Sequence, residues 1–138
     1  MDSKIIAFLQ KHHILALAVC DEEGPYAASC FYAFDESRYA LLFASDPATR
    51  HMRAIFLSNG RAAAAIHHDT KKVGVVRGAQ IKGICEAAND AQRRLYLARF
   101  PYAAAMDPAV WALRIEWLKY TDNRLGFGKK LIWTPPPR

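Results

Sequence analysis

The segment Leu42-Phe43-Ala44-Ser45-Asp46-Pro47-Ala48-Thr49-Arg50-His51-Met52-Arg53 gathers a hydroxyl, a guanidinium and an imidazole at one point of the chain. Its apolar residues read as a strand ending at Ser45. Asp46-Pro47 reads as a turn, and the residues from about Ala48 to Leu57 as a helix. The first backbone N–H groups of a helix lack intrahelical acceptors and attract anions. Thr49, Arg50 and His51 would add side-chain donors at that end, a set able to hold a phosphate without a glycine-rich loop. The plainer alternative is a strand–turn–helix with a solvated arginine.

Other reactive residue types are present without a spacing that defines a site. His67-His68 ends a strand, where neighbouring side chains point to opposite faces and do not readily share one metal. No H-E-x-x-H or similar metal-ligand spacing occurs. His12-His13 reads as a surface pair capping the first helix. Cys20, Cys30 and Cys85 form an odd set without C-x-x-C spacing, all in apolar strand-like contexts. They are expected to be buried thiols rather than disulfides or zinc ligands. Ser29 and Gln80 interrupt apolar strands. If buried, each needs a hydrogen-bond partner, either a ligand or neighbouring backbone.

The elements that would position these residues follow from periodicity and punctuation. Ser3 to Lys11 has a helical apolar face in Ile5, Ile6 and Leu9, with Ser3 as N-cap. Ile14 to Cys20 and Tyr26 to Phe34 form a hairpin about Asp21-Glu22-Glu23-Gly24-Pro25. Tyr39 to Ala44 adds a third strand, and Gly60 closes the following helix. Arg61 to His68 reads as a strand, although its four consecutive alanines leave a helix open. Val73 to Ala88 reads as one long strand. Its glycines at 74, 78 and 83 mark bulges or close backbone approaches. Asn89 caps a helix from about Asp90 to Arg99, and Tyr102 to Met106 forms a short turn. Val110 to Tyr120 alternates, with Trp111, Leu113, Ile115 and Trp117 on one side. Lys129 to Trp133 is a last strand. Hairpins joined to a few helices fit a mainly β, α+β fold, a small antiparallel barrel, and exclude a doubly wound parallel sheet.

The 138 residues fit one domain spanning 1–138. The net charge of +6 suits an anionic ligand, and its dispersion along the chain argues against nucleic acid. The start Met1-Asp2-Ser3-Lys4 lacks a basic leader, and no apolar run reaches the ~20 residues of a membrane span. The expectation is a cytoplasmic protein with no membrane partner.

Three segments resemble a known family: Cys30-Phe31-Tyr32-Ala33-Phe34-Asp35, Arg77-Gly78-Ala79-Gln80-Ile81-Lys82-Gly83, and Thr121-Asp122-Asn123-Arg124-Leu125-Gly126-Phe127-Gly128-Lys129-Lys130. The chain resembles the FMN-binding split barrels of the pyridoxamine 5′-phosphate oxidase-like superfamily, over nearly its whole length. Within that superfamily it is most similar to the bacterial YhbP-like proteins. The resemblance implies a small antiparallel split β-barrel with flanking helices, forming a homodimer with FMN at the subunit interface. Ala28, Ser29, Cys30 and Phe31 would follow the flavin ring edge, with Ala44 and Ser45 beside the ribityl chain. Thr49, Arg50 and His51 would bind the phosphate, and Gln80 would reach the ribityl hydroxyls. Lys129, or Trp117 or Asn123, would complete the partner's pocket. Two departures stand out. The strand Tyr26 to Phe34 has no Arg or Lys, and His51 stands where many relatives carry Lys.

The implied function is an FMN-dependent oxidoreductase acting on a small molecule. In such an enzyme the cofactor carries the electrons, so no catalytic side chain need stand out. The alternatives are a non-catalytic flavin or haem sensor, a cofactor-free split barrel, and a nucleic-acid-binding barrel.

Overall fold

The structure is a computed structural model and describes residues 1–137. Three helices, α1 (Ser3–Lys11), α2 (Arg50–Leu57) and α3 (Asp90–Arg99), decorate seven strands. The strands are β1 (Ile14–Asp21), β2 (Gly24–Asp35), β3 (Ala40–Ala44), β4 (Arg61–His67), β5 (Arg77–Ala87), β6 (Val110–Asp122) and β7 (Lys130–Trp133). The order is β3-β2-β1-β4-β5-β6-β7, all antiparallel, and β3 also pairs with β6. Six strands therefore close a barrel. One edge of β6 follows β5, while the other is divided between β3 (Val110 to Arg114) and β7 (Leu118 to Thr121).

Alternation decides which face each strand buries. Along β1, Leu15, Leu17 and Val19 point into the barrel, and Ile14, Ala16, Ala18 and Cys20 point out. Tyr32, Leu41, Phe43, Ile66, Ile81, Leu113, Ile115, Leu118 and Tyr120 complete the interior. α1 closes one region of the core with Ile5, Phe8 and Leu9, and the Leu9 carbonyl accepts a hydrogen bond from Tyr32 Oη at 2.8 Å. α2 buries Met52, Ala54 and Ile55 against the same core. α3 covers a second cluster through Tyr96 and Phe100, packed with Ala33, Leu42 and Ala112. The four-alanine stretch is strand because β1 and β5 pair with it on both sides, which overrides helix propensity.

Several expectations are corrected. The N-cap of α1 is Asp2, whose carboxylate accepts from the Lys4 amide at 2.8 Å, rather than Ser3. Helix α2 begins at Arg50, two residues later than expected, because Thr49 is its N-cap. Val73–Val75 is a short 3-10 turn, so β5 begins only at Arg77. Trp111 and Trp117 do not share a face. The register of β5 against β6 shifts at Lys82/Gly83, leaving Glu116 as the extra residue of a β-bulge. Inward positions run Leu113, Ile115, then Leu118 and Tyr120, and Trp117 turns outward. A Cβ at Gly83 would collide with the Arg114 carbonyl oxygen, so the expected close backbone approach is present there. Nothing comparable surrounds Gly74. The cysteines differ as well: Cys85 is buried, Cys30 half-buried and Cys20 exposed. His12 does cap α1, with its Nδ1 2.9 Å from the Phe8 carbonyl oxygen.

Candidate functional site

The α2 N-terminus was the strongest anion-binding candidate, and its side chains already have protein partners. Thr49 Oγ1 donates to the Asp46 carbonyl at 2.8 Å and accepts from the Met52 amide at 3.4 Å. Arg50 Nε donates to Asp21 at 2.8 Å, and Nη2 reaches Glu23 at 3.2 Å. Its guanidinium also lies 4.2 Å from the centre of the Tyr26 ring. The hydrogen bond from Arg50 holds the Asp21 carboxyl below the usual range. Arg53 has no ion-pair partner among the described residues and lines the same cleft of about 420 Å³ with Arg50, Asp21 and Glu23.

His51 points to a different set of groups. Its Nε2 is 2.8 Å from Ser45 Oγ and 3.3 Å from Thr49 Oγ1. The Ser45 carbonyl accepts from Trp111 Nε1 at 2.9 Å. Burial lowers the His51 pKa and raises that of Cys30. Both groups are therefore neutral near pH 7. Ser45, His51 and Thr49 form a hydrogen-bonded network joining the end of β3 to the start of α2. Ala44, half-buried, pairs with Val110 at the same strand end.

Ser29, Phe31 and Gln80 belong to another surface. Ser29 and Gln80 are not buried: both are exposed on the outward face of the barrel. Strand register places them in one line, since Ser29 pairs with Ala16, Ala16 with Ala65, Ala65 with Gln80, and Gln80 with Lys119. The next line of the same face runs Ala27, Ala18, Ala63, Lys82 and Trp117. Adjacent strands lie about 4.8 Å apart, so Ser29 and Gln80 stand roughly 14 Å apart across two alanines. Ala16, Ala18, Ala63 and Ala65 form a flat floor. A shallow depression of about 340 Å³ lies over them, walled by Gln80, Lys82 and Trp117. Ile14 and Phe31 extend its apolar character, and Phe31 is 51% exposed.

Lys129 is exposed in the turn between β6 and β7, away from the four-alanine floor in strand register. Asn123 organises that turn, donating to the Val73 carbonyl at 2.9 Å and accepting from the Gly128 amide at 3.1 Å. The structure thus separates the expected residues into an α2 cleft (Arg50), an internal polar network (Ser45, Thr49, His51), the half-buried Cys30 of β2 and an outer sheet face (Ser29, Phe31, Gln80). The alanine floor and the carboxylates on Arg50 were missed. The signal for the floor was present in the large–small alternation of Leu15 to Cys20.

A closed six-stranded antiparallel barrel with an attached seventh strand is the split barrel of the pyridoxamine 5′-phosphate oxidase-like fold. Solved structures agree. A heme binding protein from Mycobacterium smegmatis superposes with TM-score 0.74 at 20% identity, over 93% of this chain and 56% of that one. A FAD-binding protein from Mesorhizobium loti gives 0.68 at 15% identity, over 83% and 87% of the two chains. HutZ, the heme storage protein of Vibrio cholerae, gives 0.61 at 16% identity, over 83% and 89%. No family model matches. Among curated proteins, a UPF0306 protein of Campylobacter jejuni is 38% identical over 132 residues, covering 95% of this chain and 96% of that one. UPF0306 protein YhbP of Escherichia fergusonii is 36% identical over 135 residues, covering 94% and 90%. The chain belongs to the UPF0306 (YhbP) family. No helix among the described residues is long and apolar enough to cross a membrane.

Proposed function

We propose that this protein binds FMN on the outer sheet face, within a homodimer that closes over it, and serves as a flavin-dependent oxidoreductase for a small molecule. The observation that carries the reading is the four-alanine floor of Ala16, Ala18, Ala63 and Ala65, uncovered in the monomer and bordered by Ser29 and Gln80. A planar aromatic ring needs a flat apolar bed, and larger side chains at those positions would prevent close approach. The Ser29 and Gln80 side chains have no hydrogen-bond partner among the described residues and are free to meet ribityl hydroxyls or ring edges. Arg53 supplies positive charge for a phosphate at the α2 end, and Arg50 would join it by exchanging Asp21 and Glu23 for the phosphate. These residue types fit the cofactor.

Bound flavin would supply reversible hydride acceptance. The chain's own contribution is to hold the ring flat, to orient a substrate over it and to exclude water through the second subunit. His51, neutral and tied to Ser45, would fix the β3–α2 turn rather than neutralise phosphate charge. Titration of purified protein with FMN, followed by flavin fluorescence, tests the reading. Saturation at one FMN per subunit is expected, and absence of binding at high FMN would refute it.

A second reading, haem binding, is favoured by His67. Its side chain lies on the outward face of β4, two residues from Ala65, and is exposed. An imidazole there is available to ligate iron above the same apolar floor. Haem titration distinguishes the two, because a Soret band that shifts in His67→Ala would identify haem and not flavin.

A further inference from the structure

Independently of that reading, we propose a second anion site at the α1 end of the barrel, where Lys4, Lys11, Arg77 and Arg124 converge on a cavity that takes a small phosphoryl anion. The cavity measures about 270 Å³ and is bounded by these four cations together with Phe8 and Tyr120. It is distinct from the α2 cleft and from the alanine floor, with which it shares no lining residue.

The placement of Arg77 carries the argument. Along β5 it falls in the same alternation as Ala79 and Ile81, which face the barrel interior, so it enters the mouth of the barrel beneath α1. Its Nε is buried and is the one buried side-chain nitrogen or oxygen without a hydrogen-bond partner among the described residues. A buried donor left unpaired is unfavourable, and a guanidinium more so. Its cross-strand neighbour on β6 is Asp122, the obvious counter-ion. That carboxylate is already occupied, by Arg124 Nε and Nη2 at 3.0 and 2.7 Å and by Tyr120 Oη at 2.9 Å. Arg124 is thereby neutralised, while Arg77, Lys4 and Lys11 have no ion-pair partner among the described residues.

The helix strengthens the concentration of charge. Lys4 and Lys11 are seven residues apart, two turns of α1, and so lie on one face. Two further groups record the field. The pKa of His12 is lowered by burial and by Arg77, His68 and Lys11, against the hydrogen bond that its ring makes to the Phe8 carbonyl. That of His68 is lowered by desolvation and by Arg77, Lys11 and Arg124, with Asp69 opposing. Both imidazoles are therefore neutral near pH 7 and leave three uncompensated cations. A ligand carrying two or more negative charges, with oxygens for a guanidinium fork and two ammonium groups, matches this chemistry. The volume suits inorganic pyrophosphate or the phosphate end of a small metabolite.

Calorimetric titration of the full chain with inorganic pyrophosphate at 0.15 M salt (a buffer choice of about physiological strength) tests the site. Binding of one pyrophosphate per chain is expected. The double variant Lys4→Gln/Lys11→Gln, at exposed helix positions, should weaken it about tenfold or more, and Arg77→Gln should weaken it similarly. Should Arg77→Gln fail to fold, the helix double variant alone decides. Arg94→Gln, exposed on α3 and outside both sites, should leave affinity within about twofold. The proposal is overturned by absence of binding at millimolar pyrophosphate, by unchanged affinity in the Lys4/Lys11 double variant, or by equal weakening in Arg94→Gln, which would show a diffuse charge effect.

Discussion

Arg50 is held by two carboxylates and an aromatic ring, and this sets what it can offer a phosphate. The Asp21 and Glu23 contacts are partly exposed, with Arg50 itself 44% exposed, so water and salt weaken them. An incoming phosphate must compete with them. Removing the competitors by Asp21→Asn and Glu23→Gln should raise FMN affinity by about fivefold at most, because solvent-exposed ion pairs hold their partners weakly. Arg50→Ala should lower it, and fluorescence titration of the three proteins reads both effects. Equal affinity in all three would remove Arg50 from the cofactor site. Local sequence indicated Arg50 and its helix N-terminus. It did not indicate the pairing, since Asp21 and Glu23 lie 29 and 27 residues away, in the β1–β2 turn.

Asp122 is the other residue whose environment makes a measurable claim. Its side chain is 1% exposed, and hydrogen bonds from Arg124 and Tyr120 outweigh burial, bringing its pKa to about 2 from 3.8. The folded state therefore favours the ionised form. Its contribution is complete above the unfolded value and is lost as pH falls from about 4 through about 2. Asp122→Asn should cost about 1–3 kcal/mol at neutral pH, the scale of a disrupted buried polar group. The difference from the parent should vanish near pH 2 in urea denaturation. A penalty that stays constant across that range would show that the ionised carboxylate is not the stabilising species.

At the scale of elements, the bulge in β6 does the most to shape the surface. By admitting Glu116 as an extra residue it reverses the alternation, so Ile115 and Leu118 both face the core and Trp117 turns outward to wall the alanine floor. Gly83 lets the two backbones approach there, and Gly83→Ala should destabilise the fold by about 1–3 kcal/mol through overpacking against rigid backbone. Thermal denaturation checks this, with Gly74→Ala as the control, because nothing lies near that glycine. The glycine was visible as a mark in the chain, but the side of the bulge was not. A bulge is fixed by pairing between strands, and local alternation carries Trp117 to the wrong face. The same holds for Val73–Val75, an apolar run that reads as strand yet lacks a paired neighbour and closes as a 3-10 turn. Helices α1 and α3 were legible almost to the residue. Their apolar spacing and caps are local properties, as the Asn89–Gln92 capping box illustrates.

For the whole molecule, closure of the barrel directs the proposed ligand site to the outside. The interior is packed with Leu, Ile, Phe and Tyr side chains, and helices α1 and α2 add to the same core. Meanwhile β1 and β4 expose small apolar residues that a monomer has no structural reason to keep flat. In the proposed homodimer a two-fold contact would bury the same patch on both subunits, so one row of alanines would serve twice and a ligand on it would be covered from both sides. Ala65, central in that row and exposed, is the position at which a charge would be buried by dimerisation without disturbing the monomer core. Ala65→Glu should leave the circular dichroism unchanged and yield a monomer by light scattering. It should also raise the dimer dissociation constant at least about a hundredfold, the consequence of burying an unpaired carboxylate at ~3 kcal/mol or more. FMN binding should be lost in parallel, because the covering subunit is gone. Were the variant still dimeric but unable to bind FMN, the floor would be a ligand site outside the interface. A variant that remains dimeric and still binds FMN would place both partner and cofactor on another face.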